Sequence, residues 1–164
     1  MYRIRPATIA DVDVLVGHRL AMFRDMGIDI DADALAAAFR AWLYALMPSR
    51  TYRAWLVETD GAGGGAIVAG GGMTLLPWPP GPRSMGDRMA FVYNVYTDRD
   101  HRRRGLGQMV MDAIHAHCRE EGIAFVALNA SRDGHRMYEA MGYVVAPNPM
   151  MFFPLSRYNP SAQA

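Results

Sequence analysis

The segment "HRRRGLGQ" (101–108) constrains this chain more than any other. It joins "RMAFVYNVYT" (88–97), with the aromatic and β-branched content of a strand, to "GLGQMVMDAIHAHCREEG" (105–122). The second stretch carries Val110, Ile114 and Cys118 at helical spacing and closes on Gly122. A helix start leaves about four backbone N–H groups without intrahelical partners and carries a positive partial charge. Glycines there let an anion approach the backbone, and the preceding arginines add charge without strict geometry. The expected occupant is a phosphate or pyrophosphate. The bland alternative is a solvated basic turn ahead of a helix.

The other phosphate-binding patterns do not fit. The P-loop needs Gly, four residues, then Gly-Lys-Ser/Thr, and that order is absent. "GAGGGA" (61–66) matches the dinucleotide fingerprint in letters, but it runs into the strand-like "IVAGGGMTLL" where the fingerprint requires a helix. It reads as a hairpin turn. Nucleic acid is the remaining reading of the arginines. The formal net charge is only +1, and the basic cluster is confined to residues 99–104. No nucleic-acid partner is therefore expected.

Around this junction strands and helices follow one another. "YRIRPA" (2–7) reads as a short strand. Thr8 is expected to cap a helix bearing Val12, Leu15, Val16, Leu20 and Phe23, stopped by Gly27. Asp31 caps a second helix with Leu35, Phe39, Leu43 and Leu46 on one face, ended by Pro48. "YRAWLVET" (52–59) and "AIVAGGGMTLL" (66–76) are strands, and the proline-rich "PWPPGPR" (77–83) is a loop. "AFVALNA" (124–130) is a strand and "RDGHRMYEAMG" (132–142) a short helix, followed by expected strands at 143–146 and 150–155. No repeat or interdomain linker is visible. The expectation is a single α/β (α+β-like) domain over 1–164, with a mixed, mostly antiparallel sheet of about seven strands and about four helices. Residues 157–164 read as a tail.

The length of 164 residues suits one domain with a sizeable core, and 51% hydrophobic against 20% charged residues is an ordinary soluble balance. Cys118 is the only cysteine, so no intrachain disulfide forms, which fits a reducing cytoplasm. "MYRIRPATIADVD" has no apolar core of signal-peptide length, and no run approaches the ~20 apolar residues of a membrane span. A cytoplasmic protein with no membrane partner is expected.

Arg102-x-x-Gly105-x-Gly107, set between a strand and a helix, resembles the central motif of the Gcn5-related N-acetyltransferases. "MYEAMGY" (137–143) is similar to that family's Leu-Tyr-Glu-Lys-x-Gly-Phe signature at the expected distance downstream, and "NVYTDRDHRRRGLG" (94–107) resembles its fourth strand and exit loop. The order of elements matches over nearly the whole chain. Two departures stand out. The family's usual asparagine, seven residues before the signature tyrosine, is Ser131 here, with Asn129 two residues earlier. A common proline after the fourth strand is Arg99.

The resemblance implies a sheet splayed between its fourth and fifth strands and acetyl-coenzyme A as cosubstrate, without a metal. Val95 and Thr97 would meet the pantetheine arm. Arg102, Arg103, Arg104, Gly105, Leu106, Gly107 and Gln108 would hold the pyrophosphate, mainly through the backbone from 103 onward. Asn129 and Ser131 are candidate cofactor contacts, with Ser131 open also as an N-cap of the helix after it. A neutral amine would attack directly, and Tyr138 would be the general acid toward the leaving thiolate. Cys118, on the apolar stripe, is expected in the core and not as a nucleophile. Glu58, Asp87 and Tyr93 are candidate bases beside a water relay, with none assigned. His115 and His117, two apart on a helix, are poor metal geometry, and His18, His101 and His135 are expected at the surface.

The acceptor wall would comprise residues 18–48 and 77–87, including Trp42, Tyr44 and Trp78. A small-molecule or peptide amine is the expected partner, and a homodimer stays open. The alternative from another class is a coenzyme A-binding regulatory module without turnover.

Overall fold

The computed structural model describes residues 1–61, 65–82, 84–147 and 150–151. It forms two compact units, Met1–Ser131 and Arg132–Ala164. Among the described residues there are five strands and four α-helices. In the first unit β1 (Tyr2–Pro6) leads through a 3-10 turn, Ile9–Asp11, into α1 (Val12–Asp25) and α2 (Ala32–Leu46). Then come β2 (Tyr52–Thr59), β3 (Ile67–Pro77), β4 (Arg88–Thr97), α3 (Leu106–Glu120) and β5 (Val126–Leu128). The sheet order follows the chain, β1-β2-β3-β4-β5, antiparallel except for the parallel pair β4–β5.

The helix signals act as chemistry dictates. The Asp31 carboxylate accepts from the Ala34 N–H at 3.0 Å and starts α2, and Phe39 and Leu43 are its buried residues. Thr8 caps the 3-10 turn and not α1 itself: its N–H and hydroxyl donate to the Asp11 carboxylate at 2.7 and 3.0 Å, and α1 begins one residue later. Val12, Leu15 and Val16 of α1 join Phe39, Leu43, Tyr52, Ala54 and Leu56 in one buried cluster. On α3, Val110, Ile114 and Cys118 are buried, with the Cys118 thiol 3.5 Å from the Met73 sulfur. Burial raises that thiol above its ordinary pKa, as suits a packed core group.

Two expected strands need correction. Residues 143–146 carry no strand, and Val144 and Val145 are exposed at 88% and 75%. Apolar content alone does not make a strand without a partner to pair with. Residues 152–155 of the other expected strand, the centre of the 60–65 turn and the tail lie outside the described residues. The strand expected at 124–130 shortens to three residues, Val126–Leu128. The "GAGGGA" segment leads into strand β3, with the Thr59 N–H donating to the Ala66 carbonyl at 2.9 Å, so it closes a hairpin.

In the second unit, α4 (His135–Ala140) starts from Gly134 as N-cap, so Ser131 is not its cap. Gly142, at φ +91°, closes it, and the Tyr143 N–H donates to the Tyr138 carbonyl at 3.0 Å. Tyr138 is buried, and its ring meets Tyr143 edge-on at 5.6 Å.

The edge strand β1 is tied down by charge. The Arg5 guanidinium donates to both Asp11 oxygens at 2.8 Å and also reaches Glu58, which Arg3 binds at 2.8 Å. Arg5 holds the Asp11 carboxyl down at about 2. A depressed carboxyl contributes stability that is complete above the unfolded value near 4 and is lost as pH falls toward 2. Asp11→Asn is therefore expected to cost about 1–3 kcal/mol at pH 7, read by thermal or denaturant unfolding. The gap from wild type should close between pH 4 and pH 2, the interval spanned by those two values. A gap independent of pH would contradict the ion pair's role.

Candidate functional site

The site begins at an irregularity in β4. Gly70 pairs with Tyr96 and Gly72 with Tyr93, so Asn94 and Val95 together face Gly71. Asn94 sits at φ +55°, the left-handed region that asparagine tolerates better than most residues. This is a β-bulge, and it changes which way the backbone faces. Before it, the Ala90 N–H donates toward β5, to the Phe125 carbonyl at 3.0 Å. Beyond the strand, the Asp98 N–H donates toward β3, to the Val68 carbonyl at 2.9 Å. Alternation then turns the backbone groups of Val95 and Thr97 away from β3.

They find no strand there. The β4–β5 pairing covers only Ala90 to Val92, opposite Val126 to Leu128. From Tyr93 to Thr97, β4 has no β5 partner among the described residues. A sheet splayed between its fourth and fifth strands was expected; β5 pairs with β4 only ahead of the bulge and ends at Leu128. Asn129, exposed, follows β5 directly at this open end, with Ser131 half-buried two residues on.

The loop after β4 leads to the start of α3. Arg103 at φ +58° and Gly105 at φ +77° are both left-handed, and Gly105 is the N-cap. A Cβ at Gly105 would meet nothing within 4 Å, so the space over the helix start is open. The first helical bond runs from the Met109 N–H to the Gly105 carbonyl at 2.9 Å. The N–H groups of Leu106, Gly107 and Gln108 thus have no intrahelical acceptor. The Leu106 side chain itself is core, 1% exposed, so only its backbone is available.

The arginines divide by task. Arg99 and Arg102 both bind the Asp25 carboxylate at the end of α1, and Arg102 Nε also donates to the Thr97 carbonyl at 3.0 Å. These pairs, Arg99 first, hold Asp25 below the usual carboxylate range. Arg104 donates to the Tyr2 hydroxyl at 3.0 Å and the Asp100 carbonyl at 3.1 Å. Among the described residues, Arg103 alone of residues 102–104 makes no side-chain hydrogen bond or ion pair. Most of the basic charge therefore shapes the loop, which leaves the backbone N–H groups at the helix start and the Arg103 side chain without protein partners among the described residues.

On the α1 side of the bulge, the Asn94 side-chain oxygen accepts from Arg19 Nη1 at 2.8 Å. His18 is buried, not at the surface as expected, with its ring 5.1 Å from Tyr96, and burial lowers its pKa. His101 is likewise engaged, 2.9 Å from the Tyr2 hydroxyl. Trp42 packs among Phe39, Tyr52 and Tyr93 at 5.6, 5.0 and 6.4 Å, while Tyr44 and Trp78 are exposed. Of the candidate bases, Glu58 is held by Arg3 and Arg5 below its ordinary pKa, which makes it a poor proton acceptor. Asp87 is exposed near Arg88, and Tyr93 lies against Phe91 at 4.9 Å. Tyr138, in the second unit, has its phenol pushed up to about 12 by burial, so it keeps its proton near neutral pH. Among the described residues no group of three or more His, Cys, Asp or Glu could hold a metal, and no helix is long and apolar enough to cross a membrane.

A family model described as "Acetyltransferase (GNAT) family" matches residues 20–143. A GCN5-related N-acetyltransferase from Ralstonia eutropha is 36% identical, covering 95% of this chain and 99% of its own at a TM-score of 0.83. The chain belongs to the GNAT family. As a GNAT protein it is an acetyl-coenzyme A-dependent acyltransferase. The fold extends to more distant GNAT structures. A predicted acetyltransferase from Clostridium acetobutylicum, solved with acetyl-CoA, is 21% identical over 97% of this chain and 100% of its own, at a TM-score of 0.87. Glucosamine-6-phosphate N-acetyltransferase from Arabidopsis thaliana is 19% identical over 93% and 98%, at 0.66. No curated protein matches the chain in sequence.

Asp25, Asn94 and Arg19 escaped the reading of the sequence. Only Asn94 left a signal, as a lone asparagine within an aromatic and β-branched strand. The double pairing at Asp25 leads to a measurable expectation. Asp25→Ala should speed amide hydrogen exchange across residues 99–105 by about tenfold, with β2 and β3 unchanged. Unaltered exchange in that loop would show that Asp25 does not hold it.

Proposed function

We propose that this GNAT enzyme transfers an acetyl group from acetyl-coenzyme A to a primary amine by direct attack. The observation that carries this is the unpaired stretch of β4 running into the open start of α3, an extended edge followed by an anion site. The residues present fit the cosubstrate on both counts. The backbone groups of Val95 and the Thr97 N–H pair with an extended amide-bearing arm as an added strand would, the Thr97 carbonyl being held by Arg102. The N–H groups of Leu106, Gly107 and Gln108, with Arg103, hold the pyrophosphate. Asn129 and Ser131, at the open end of β5, are further contacts. Bound acetyl-coenzyme A supplies an activated acetyl thioester.

The chain's own groups then orient and polarise. The Val95 N–H, turned into the gap by the bulge, donates to the acyl oxygen where negative charge develops. Tyr138 is the proton donor toward the leaving sulfur, with burial raising its phenol above the ordinary tyrosine value. A thiol near 8.5 and an ordinary tyrosine near 10 differ by roughly 1.5 units. Burial widens that difference. A hydrogen bond that strengthens as sulfur gains charge is therefore a better description than complete transfer. The Clostridium neighbour's bound acetyl-CoA supports the cosubstrate.

Two substitutions test the parts separately. Gly105→Asp puts a carboxylate beside the anion site and a side chain where φ is +77°. It is expected to weaken coenzyme A binding at least tenfold in calorimetric titration, with affinity for the phosphate-free pantetheine fragment much less affected. Wild-type affinity for coenzyme A would overturn the loop assignment. Tyr138→Phe is expected to keep cofactor affinity and to lower kcat by roughly 10²–10⁴-fold with little change in KM. Turnover within about twofold of wild type, with chemistry rate-limiting, would leave Tyr138 as packing.

A further inference from the structure

Arg19 is a cation without an acidic partner. Other arginines on or packed against α1 and β1 are paired: Arg5 with Asp11 and Glu58, Arg40 with Asp13, and Arg99 and Arg102 with Asp25. Arg19 makes no ion pair among the described residues. The ionisable groups that bear on its charge are Tyr52 and Tyr93, and neither is a carboxylate. Its guanidinium carbon lies 5.0 Å from the Phe23 ring centre and 4.7 Å from that of Phe39. One of its five N–H donors is spent on Asn94 at 2.8 Å, and Nε is buried without an acceptor. The buried Tyr52 hydroxyl also lacks a partner among the described residues.

Such an arrangement is costly to keep for structure alone. Aromatic faces offset part of the desolvation of a guanidinium, but they do not satisfy its in-plane donors. The residue is half-buried, so part of it remains open to solvent although Nε is not. Its planar fork matches a carboxylate, which it binds through two parallel hydrogen bonds. Its location is also specific. Arg19 is bonded to the bulge residue Asn94, which directly precedes Val95.

We propose that Arg19 receives a carboxylate of the acceptor, so that the substrate is an amine with a carboxylate within a few bonds of its nitrogen, of amino-acid type. This rests on the acetyl-transfer reading above. The Asn94 bond holds the guanidinium one residue from the N–H assigned to the acyl oxygen. A carboxylate on that guanidinium lies beside the bulge, as suits an acceptor whose carboxylate is close to its attacking nitrogen. The Phe23 and Phe39 rings both lie within 5.0 Å of the guanidinium carbon and pack against it.

The test uses matched pairs, each an amino acid and its carboxamide: glycine, β-alanine, leucine and phenylalanine. Values of kcat/KM at saturating acetyl-coenzyme A are expressed per neutral amine, because the amide lowers the amine's own pKa. Wild type is expected to favour the acid at least tenfold in one or more pairs. Arg19→Gln should bring that ratio within about twofold of unity, and Arg19→Lys, with charge but no fork, should fall between. Amides used as well as acids by the wild type, or an unchanged ratio in Arg19→Gln, would overturn the proposal while leaving acetyl transfer intact. Turnover of neither member of any pair would count against the acetyl-transfer reading. Recognition is then read from equilibrium binding of the same pairs to the coenzyme A-saturated protein. A tenfold tighter acid, weakened in Arg19→Lys, supports the proposal, and equal affinities overturn it. The wild-type comparisons hold even if Arg19→Gln fails to fold.

Discussion

One extra residue in β4 organises this protein. Without the bulge at Asn94, regular alternation would turn Val95 and Thr97 toward β3, where ladder bonds would consume their backbone groups. With it, the strand serves two partners in sequence. Up to Val92 it pairs with β5; past Asn94 the same edge is open. The open edge is stable because β4 remains paired to β3 on its other side from Arg88 through Thr97, interrupted only at the bulge residues Asn94 and Val95. The core does not have to deform to create the gap. Gly71, opposite the bulge, leaves room for it, since a Cβ there would come within 2.9 Å of Val110 and 3.1 Å of Val95.

The bulge also links two halves of the site. Its backbone faces the gap where an acyl group would lie, and its side chain faces α1, where it holds Arg19. A local change in strand phase thus positions groups on both sides of the proposed site. The loop that follows is pinned from the end of α1 by Asp25 through Arg99 and Arg102. A run of like charges would otherwise repel itself and widen the loop. Pairing two of its members with one carboxylate leaves a short, shaped approach to the α3 N-terminus, with Arg103 the free charge of residues 102–104 among the described residues.

Much of this was legible from residue order. Periodicity and caps located α1, α2 and α3, because a helix stripe such as Val110, Ile114 and Cys118 has one low-energy way to be buried. The loop into α3 and its glycine N-cap were legible because glycine and helix-start chemistry are local. What the sequence concealed was long-range. Asp25 reaches Arg102 across 77 positions and Arg19 reaches Asn94 across 75, and no local pattern encodes such pairings. His18 was misjudged because an isolated histidine looks solvated until a ring such as Tyr96 covers it. Residues 143–146 have strand-like composition, but pairing decides a strand, and composition does not. The length of β5 was overestimated for the same reason: only Val126 to Leu128 pair with β4.

The central claim is that the unpaired half of β4 and the first turn of α3 together hold the cosubstrate. Amide-resolved hydrogen exchange, with and without saturating coenzyme A, tests it most directly. The account predicts that Val95, Thr97, Leu106, Gly107 and Gln108 slow together on binding, while the β1–β2 ladder does not change. Bound coenzyme A with those five amides exchanging as in the free protein would contradict it.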